Sequence, residues 1–247
     1  MTDTSIAAVH VATNDLRVGS VISRSGAVLW RHFLTFFIVA VIAYSPLLIA
    51  GMQTTEPIEP SEALIVVLWV LFGVLYTLSN AIILHAALQD MRRRPVRLVE
   101  SFNVGLSRLL PLIGVVCVAT FLVLLGMVLL IIPGLILYTM WFVGVQTCVV
   151  ERLGPWTSLR RSRELTKGFR WKVFALVALL LSVVNAGGGV IELVLTALAG
   201  PIAGLTGQMI WAGIAGAFAG VVTTVTYYDL RVIKESVDNE QITAVFD

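Results

Sequence analysis

Cysteine, histidine and charge are all scarce in this chain. Two cysteines, Cys117 and Cys148, occur in 247 residues. Both fall inside apolar runs without CxxC or Cys/His spacing, which argues against a disulfide framework or a zinc site and leaves them as small apolar residues. The three histidines, His10, His32 and His85, are far apart and form no HExxH-type pair. No nucleophile–base pair, metal cluster or pair of carboxylates stands at usable spacing, so no catalytic residue, metal or cofactor is expected. Charged residues make up 13% of the chain, against roughly 25% in an ordinary soluble domain. That is too little to clothe a soluble surface. Soluble, secreted, disordered and nucleic-acid-binding classes are thereby excluded.

Apolar residues are abundant instead, at 58% of the chain, with a mean hydropathy of +0.93. They are gathered in nearly uncharged runs of about 17 to 26 residues, the length of a helix that crosses a hydrocarbon core of about 30 Å. The fold class expected is an all-α membrane protein: six transmembrane helices with short amphipathic interfacial helices on the cytoplasmic side. The runs place spans at residues 33–52, 63–88, 109–132, 134–150, 173–198 and 208–228, between an N-terminal segment 1–32 and a tail 229–247. The short turn Ile132-Pro133-Gly134 joins spans three and four. Gly187, Gly188 and Gly189 predict a weakening or break in span five.

Basic residues set the orientation. Arg17, Arg24 and Arg31 precede the first span, and Arg92, Arg93, Arg94, Arg97 and Arg108 lie between spans two and three. Arg152, Arg160, Arg161, Arg163, Lys167, Arg170 and Lys172 lie between four and five, and Arg231 and Lys234 follow the sixth. That accounts for all 17, while the other three connections hold only Glu56, Glu59, Glu62 and Glu192. The positive-inside rule then puts both termini in the cytoplasm and Thr54 to Ser61 outside. About 32 mostly polar residues precede the first span, and no small-x-small cleavage site follows, so the first span reads as a retained anchor.

The basic segments before spans one, three and five resemble one another. Val18, Val21, Ile22, Ser25, Val28, Leu29 and His32 recur at helical spacing in the first; Val99, Phe102, Leu106 and Leu109 share a face in the second. Trp156, Leu159, Ser162, Thr166 and Phe169 do so in the third, with arginines opposite. Ser23, Ser101 and Ser162 stand at matching points, which suggests three copies of an interfacial helix followed by a membrane hairpin.

The IIPG turn, the segment ERLGPWTSLRRSRELTKGFRWKVF and the closing YYDLRV together resemble the membrane domain associated with glycerophosphoryl diester phosphodiesterases and related six-helix bacterial inner-membrane proteins. The resemblance is best over about residues 130–175 and 225–233. It implies six spans, cytoplasmic ends and amphipathic connectors. The catalytic barrel from which that family takes its name has no counterpart in these residues, so the resemblance implies architecture and no phosphodiesterase activity.

Several polar residues lie in or beside the apolar runs. Ser79, Asn80 and His85 give span two a polar side, and Gln146 and Thr147 do so for span four. With Asn185 and Glu192 of span five, Asn80, His85 and Gln146 are the candidates for an intramembrane site. The bland alternative is interhelical hydrogen bonding, with Glu192 at the outer interface. Ala212, Gly216, Gly220 and Thr224 repeat every four residues, which predicts a helix-contact face, within the chain or between protomers. Arg160 and Glu164, and Glu164 and Lys167, are spaced to pair along one helix. Gly168 suits a left-handed helix terminus, and Tyr227 and Tyr228 an interfacial belt with Asp229 and Arg231 just outside it.

The expected function is a non-enzymatic membrane protein that binds anionic lipid, or a membrane-protein partner, through its cytoplasmic basic helices. Arg160, Arg161, Arg163, Lys167, Arg170, Arg92, Arg93, Arg94 and Trp156 are the contacting residues. A homo-oligomer is compatible with the small-residue row. A small-molecule or lipid transporter is the alternative, and it would show the polar residues lining a cavity; a lipid-processing enzyme ranks third.

Overall fold

Apolar runs this long can satisfy their backbone only as helices, and the computed structural model, which describes residues 15–53, 61–91 and 95–246, shows ten helices among them. They are α1 (Val18–Arg31), α2 (Phe33–Gln53), α3 (Glu62–Met91), α4 (Leu98–Ser107) and α5 (Leu109–Leu129), then α6 (Ile131–Met140), α7 (Gly144–Val150), α8 (Pro155–Thr166), α9 (Arg170–Ala199) and α10 (Pro201–Phe246). Six stretches are long and apolar enough to cross a membrane: α2, α3, α5, the α6–α7 pair, α9 and α10. Apolar side chains such as Val128, Leu129, Ile132, Leu193 and Leu198 lie on the outside, as faces in hydrocarbon do.

Local sequence explains the irregular points. Pro46 inside α2 leaves the Ile42 carbonyl without its usual partner, and the Ser45 hydroxyl donates to it at 2.8 Å. Between α5 and α6 the chain turns at one extended residue, Leu130. The turn is tight because Gly126 and Gly134 let the backbones meet: a Cβ on Gly134 would stand 2.7 Å from the Met127 nitrogen. Span five is one continuous helix, contrary to the break expected at its three glycines. They form a trough instead. The Trp211 ring lies on Gly187 and Gly188, and its Nε1 donates to the Val183 carbonyl at 3.2 Å. Gly204 and Gly207 continue this contact against Thr196 and Leu195, so α10 begins seven residues before the apolar run that betrays it.

Three units follow one another: α1 to α3, α4 to α7, and α8 to α10. Each starts with a short connector helix that packs on the last span of the preceding unit, α4 on α3 and α8 on α7, and α1 closes the ring on α10. Ser25, Ser101 and Ser162 are fully buried in these connectors, each eight residues before the first residue of the next span, Phe33, Leu109 and Arg170. Ser23, the expected counterpart, is exposed. The register is set by the face turned to the neighbour, which in α1 carries Val21, Ser25 and Val28. The main core lies at this basic end, where Phe36, Ala87, Leu165, Leu176, Val221 and Tyr227 meet.

Candidate functional site

Helix α8 shows how the basic end is built. Pro155 at its first position and Gly168 after it, at φ 95°, delimit the helix. Its inner face carries Ser158, Leu159, Ser162, Leu165 and Thr166. The turn Trp141–Val143 that interrupts span four frees the Met140 carbonyl. That oxygen accepts from the Ser162 hydroxyl at 2.9 Å and from the Thr166 hydroxyl at 3.3 Å. The hydroxyls therefore repair a broken span. This corrects the expectation of Trp156, Leu159 and Phe169 on one lipid-facing side: Leu159 is buried in protein, Phe169 packs against the core, and Trp156 points outward.

The last helix of each unit carries a carboxylate at the basic side: Asp90 near the end of α3, Glu151 directly after α7 and Asp229 within α10. Arg161 Nε lies 3.1 and 3.2 Å from the Glu151 oxygens, and its Nη2 is 3.7 Å from Glu235. The Tyr227 hydroxyl donates to Glu151 at 3.1 Å, and Arg231 donates to Glu235 at 2.6 Å and to the Tyr227 hydroxyl at 3.4 Å. Arg24 pairs with Asp229. Arg24 and Arg161 each directly precede a buried serine, Ser25 and Ser162, so the two pairs are counterparts in the threefold arrangement. In the middle unit that place holds Glu100, and Asp90 is met instead by Arg31 at 3.2 Å and His32 at 3.1 Å. Tyr227 is not a belt residue. It is 1% exposed, because its hydroxyl has a carboxylate to reach inside the bundle.

The remaining basic candidates divide. Arg160 pairs with Glu164 at 3.4 Å on the open face of α8. Arg163, Lys167 and Arg170 are exposed and have no carboxylate partner among the described residues. Trp156 and Trp171 flank them, 68% and 84% exposed. Arg92, Arg93 and Arg94 lie outside the described residues.

The intramembrane candidates do not form one cluster. His85 Nδ1 meets the Ser101 hydroxyl at 3.0 Å, which ties α3 to α4. Asn185 is exposed and bonds its own helix at Leu181, while Glu192 is half-buried near the other end of the bundle. Asn80 and Gln146 do converge, on one turn of α10. Gln146 Nε2 donates to the Thr223 hydroxyl at 2.7 Å, and Asn80 Oδ1 would be 3.4 Å from a Cβ on Gly220. The small-residue row serves contacts within the chain: Gly216 faces the Tyr44 hydroxyl and Gly220 faces Ile83, while Ala212 is half-buried above them. Tyr44 and Tyr76 were not anticipated as part of this region. Their mid-span position, away from the usual interfacial belt, was the available signal.

Among the described residues no group of three or more His, Cys, Asp or Glu could hold a metal ion. Six apolar helices, closed at one end by arginine–carboxylate pairs, define the architecture of a multi-pass helical membrane protein. No family model, no curated protein and no solved structure matches the chain.

Proposed function

We propose that this chain is a non-enzymatic protein of the bacterial inner membrane, with both termini cytoplasmic, whose basic end binds anionic lipid headgroups. On this reading α1, α4 and α8 are interfacial helices, and the family resemblance in the IIPG and YYDLRV strings is one of architecture alone. The observation that carries the proposal is the division among the arginines of one segment. Arg161 is spent on Glu151 and Arg160 on Glu164, whereas Arg163, Lys167 and Arg170 are exposed between two outward tryptophans. Tryptophan favours the headgroup level, and each basic residue near an anionic surface gains about 1 kcal/mol before screening. Charge that only fixed topology would not require aromatic neighbours.

The test is to replace Arg163, Lys167 and Arg170 together by Gln. The 14 other basic residues keep the spans oriented. Phosphatidylglycerol and cardiolipin co-purifying with the protein should fall, and thermal stabilisation by added cardiolipin should shrink. Arg160→Gln alone should change neither. Lipid content and stabilisation equal to those of the unmodified protein would leave these residues with a topological role only.

A further inference from the structure

We infer that the outward face of α9 is the contact surface for a second copy of this chain, in a parallel two-fold dimer centred on Asn185. Other outward faces carry large apolar side chains, such as Phe121, Leu124 and Val128 on α5. On α9 the outward positions hold Ala175, Ala178, Ser182, Asn185, Ala186 and Gly189, and all but the half-buried Ala178 are exposed. Large side chains keep to the flanks of this strip, at Leu179, Leu181 and Val190. The opposite face, with Val173, Leu176 and Leu180, is buried in the protein.

Small residues alone mark only a place where another helix could come close. Asn185 supplies the independent reason for one to do so. Among the described residues of the six spans it is the one exposed carboxamide. Its Nδ2 donates to the Leu181 carbonyl of its own helix at 2.8 Å, and its Oδ1 has no partner among the described residues. The neighbouring Ser182 hydroxyl is satisfied on the Ala178 carbonyl at 2.8 Å, so the amide is the group in need. Counted from Val173, where the apolar run begins, Asn185 lies about 18 Å along the helix, near the middle of a hydrocarbon core about 30 Å thick. So short a side chain cannot reach the headgroups from that depth, and hydrocarbon offers it nothing to bond.

Another carboxamide at the same depth fits this need. An amide offers donor and acceptor together, so two facing copies of Asn185 exchange two hydrogen bonds, each Nδ2 donating to the other Oδ1. The orientation proposed above, on which this step rests, inserts every copy the same way up. Two copies of α9 then run parallel about an axis along the membrane normal, and each residue of the strip stands opposite itself. Ala175, Ala178, Ser182, Asn185 and Gly189 follow at intervals of four and three, the period of a left-handed helix pair. Their small side chains let the two backbones approach. A Cβ on Gly189 would meet nothing within 4 Å, so the protomer leaves that room open. A different partner would have to bring its own amide to this depth; a second copy has one by necessity.

The test uses Ala175→Cys and Ser182→Cys, each in a Cys117→Ser background, in native membrane vesicles oxidised with copper phenanthroline. Each variant should form a disulfide-linked dimer of this chain. The unmodified protein, whose Cys117 is exposed on α5, is the control and should not. An antiparallel pair centred on Asn185 would hold the two copies of residue 175 about 30 Å apart, so cross-linking there also reports the parallel arrangement. Adding Asn185→Leu should lower the dimer yield about fivefold or more, and Asn185→Gln, which keeps the amide, should preserve most of it. Asn185 bonds only its own helix, so the protomer folds in both. No cross-link at 175, an equal yield through Cys117, or a yield that Asn185→Leu leaves unchanged overturns the dimer. A disulfide to another protein in place of a second copy overturns the occupant.

Discussion

Arg161 grips both carboxylate oxygens of Glu151, joining the connector helix of the third unit to the last helix of the second. Arg24 pairs with one carboxylate oxygen of Asp229, joining the first unit to the third. The basic end is therefore held by two equivalent clasps and one variant, in which Arg31 and His32 take Asp90. Arg24 and Asp229 close the first unit on the third across 205 positions, Arg161 and Glu151 tie the third unit to the second across 10, and Arg31 and His32 hold α1 to α3 within the first unit.

Breaking one clasp should loosen one junction. Glu151→Gln removes the charge facing Arg161 and weakens the acceptor of Tyr227, both partly enclosed, and should cost about 1–3 kcal/mol. Arg160→Gln removes an exposed i,i+4 partner and should cost under about 0.5 kcal/mol. Thermal unfolding in detergent, followed by tryptophan fluorescence, separates the two; equal midpoints would show that the clasp contributes nothing.

Glycines at backbone contacts should be far less replaceable than glycines on open helix faces. Gly134→Ala places a Cβ 2.7 Å from the Met127 nitrogen and 2.9 Å from its Cα, neither of which can swing aside. The α5–α6 hairpin must open, at a cost of about 2 kcal/mol or more. Gly26→Ala in α1 meets nothing within 4 Å and should stabilise by about 0.5–1 kcal/mol through helix propensity. Opposite signs in the shift of the unfolding midpoint are the expected result.

Much of this architecture is legible in the sequence, and the rest is not, for physical reasons. Spans one to five can be read because hydrocarbon demands uninterrupted apolar length, and Phe33 and Leu109 start their helices where the apolar runs do. Span six starts earlier than its run because Gly204 and Gly207 are held by contact with α9, not by hydropathy. The glycines of span five looked like a break because only the partner helix reveals that Trp211 fills them. At the basic end, the number of arginines was plain, but which of them is neutralised depends on where Glu151 and Asp229 come to rest. Arg161 and Arg163 are two residues apart in sequence and have different fates. Likewise Asn80 and Gln146 converge on one turn of α10, while Asn185 and Glu192, equally conspicuous in the sequence, lie elsewhere.

The contact between Gly187 and Trp211 should behave as a coupled pair. Gly187→Ala would set a Cβ 2.4 Å from the indole ring and should destabilise the α9–α10 hairpin by about 1–3 kcal/mol. Trp211→Leu empties the trough and carries its own cost. In the double variant the two penalties should add to less than their sum, with a coupling of about 1 kcal/mol or more. Gly189→Ala, which meets nothing within 4 Å, should be harmless. Strict additivity of Gly187→Ala and Trp211→Leu would mean that the ring yields without cost.

Arg152 is the one non-glycine residue with positive φ among those described, at 55°. It sits where α7 ends: the Glu151 amide donates to the Thr147 carbonyl, and the chain then reverses so that the Leu153 carbonyl accepts from Cys148 Sγ. Gly154 and Pro155 start α8 directly after it. A left-handed conformation costs an ordinary side chain about 1–2 kcal/mol, and glycine escapes that cost while gaining some freedom in the unfolded chain. Because the Arg152 side chain is exposed and forms no ion pair among the described residues, its charge contributes little to set against the strain. Arg152→Gly should therefore raise stability by about 0.5–1 kcal/mol. Arg152→Ala, which keeps the Cβ and removes the guanidinium, should give no gain. The mirror-image change, Gly168→Ala at φ 95°, should lower stability by about 1–2 kcal/mol. Thermal midpoints of the three variants in one detergent decide the matter. If Arg152→Gly falls below Arg152→Ala, the backbone at this turn is not strained; if Arg152→Ala falls below the unmodified protein, the arginine side chain itself stabilises the turn.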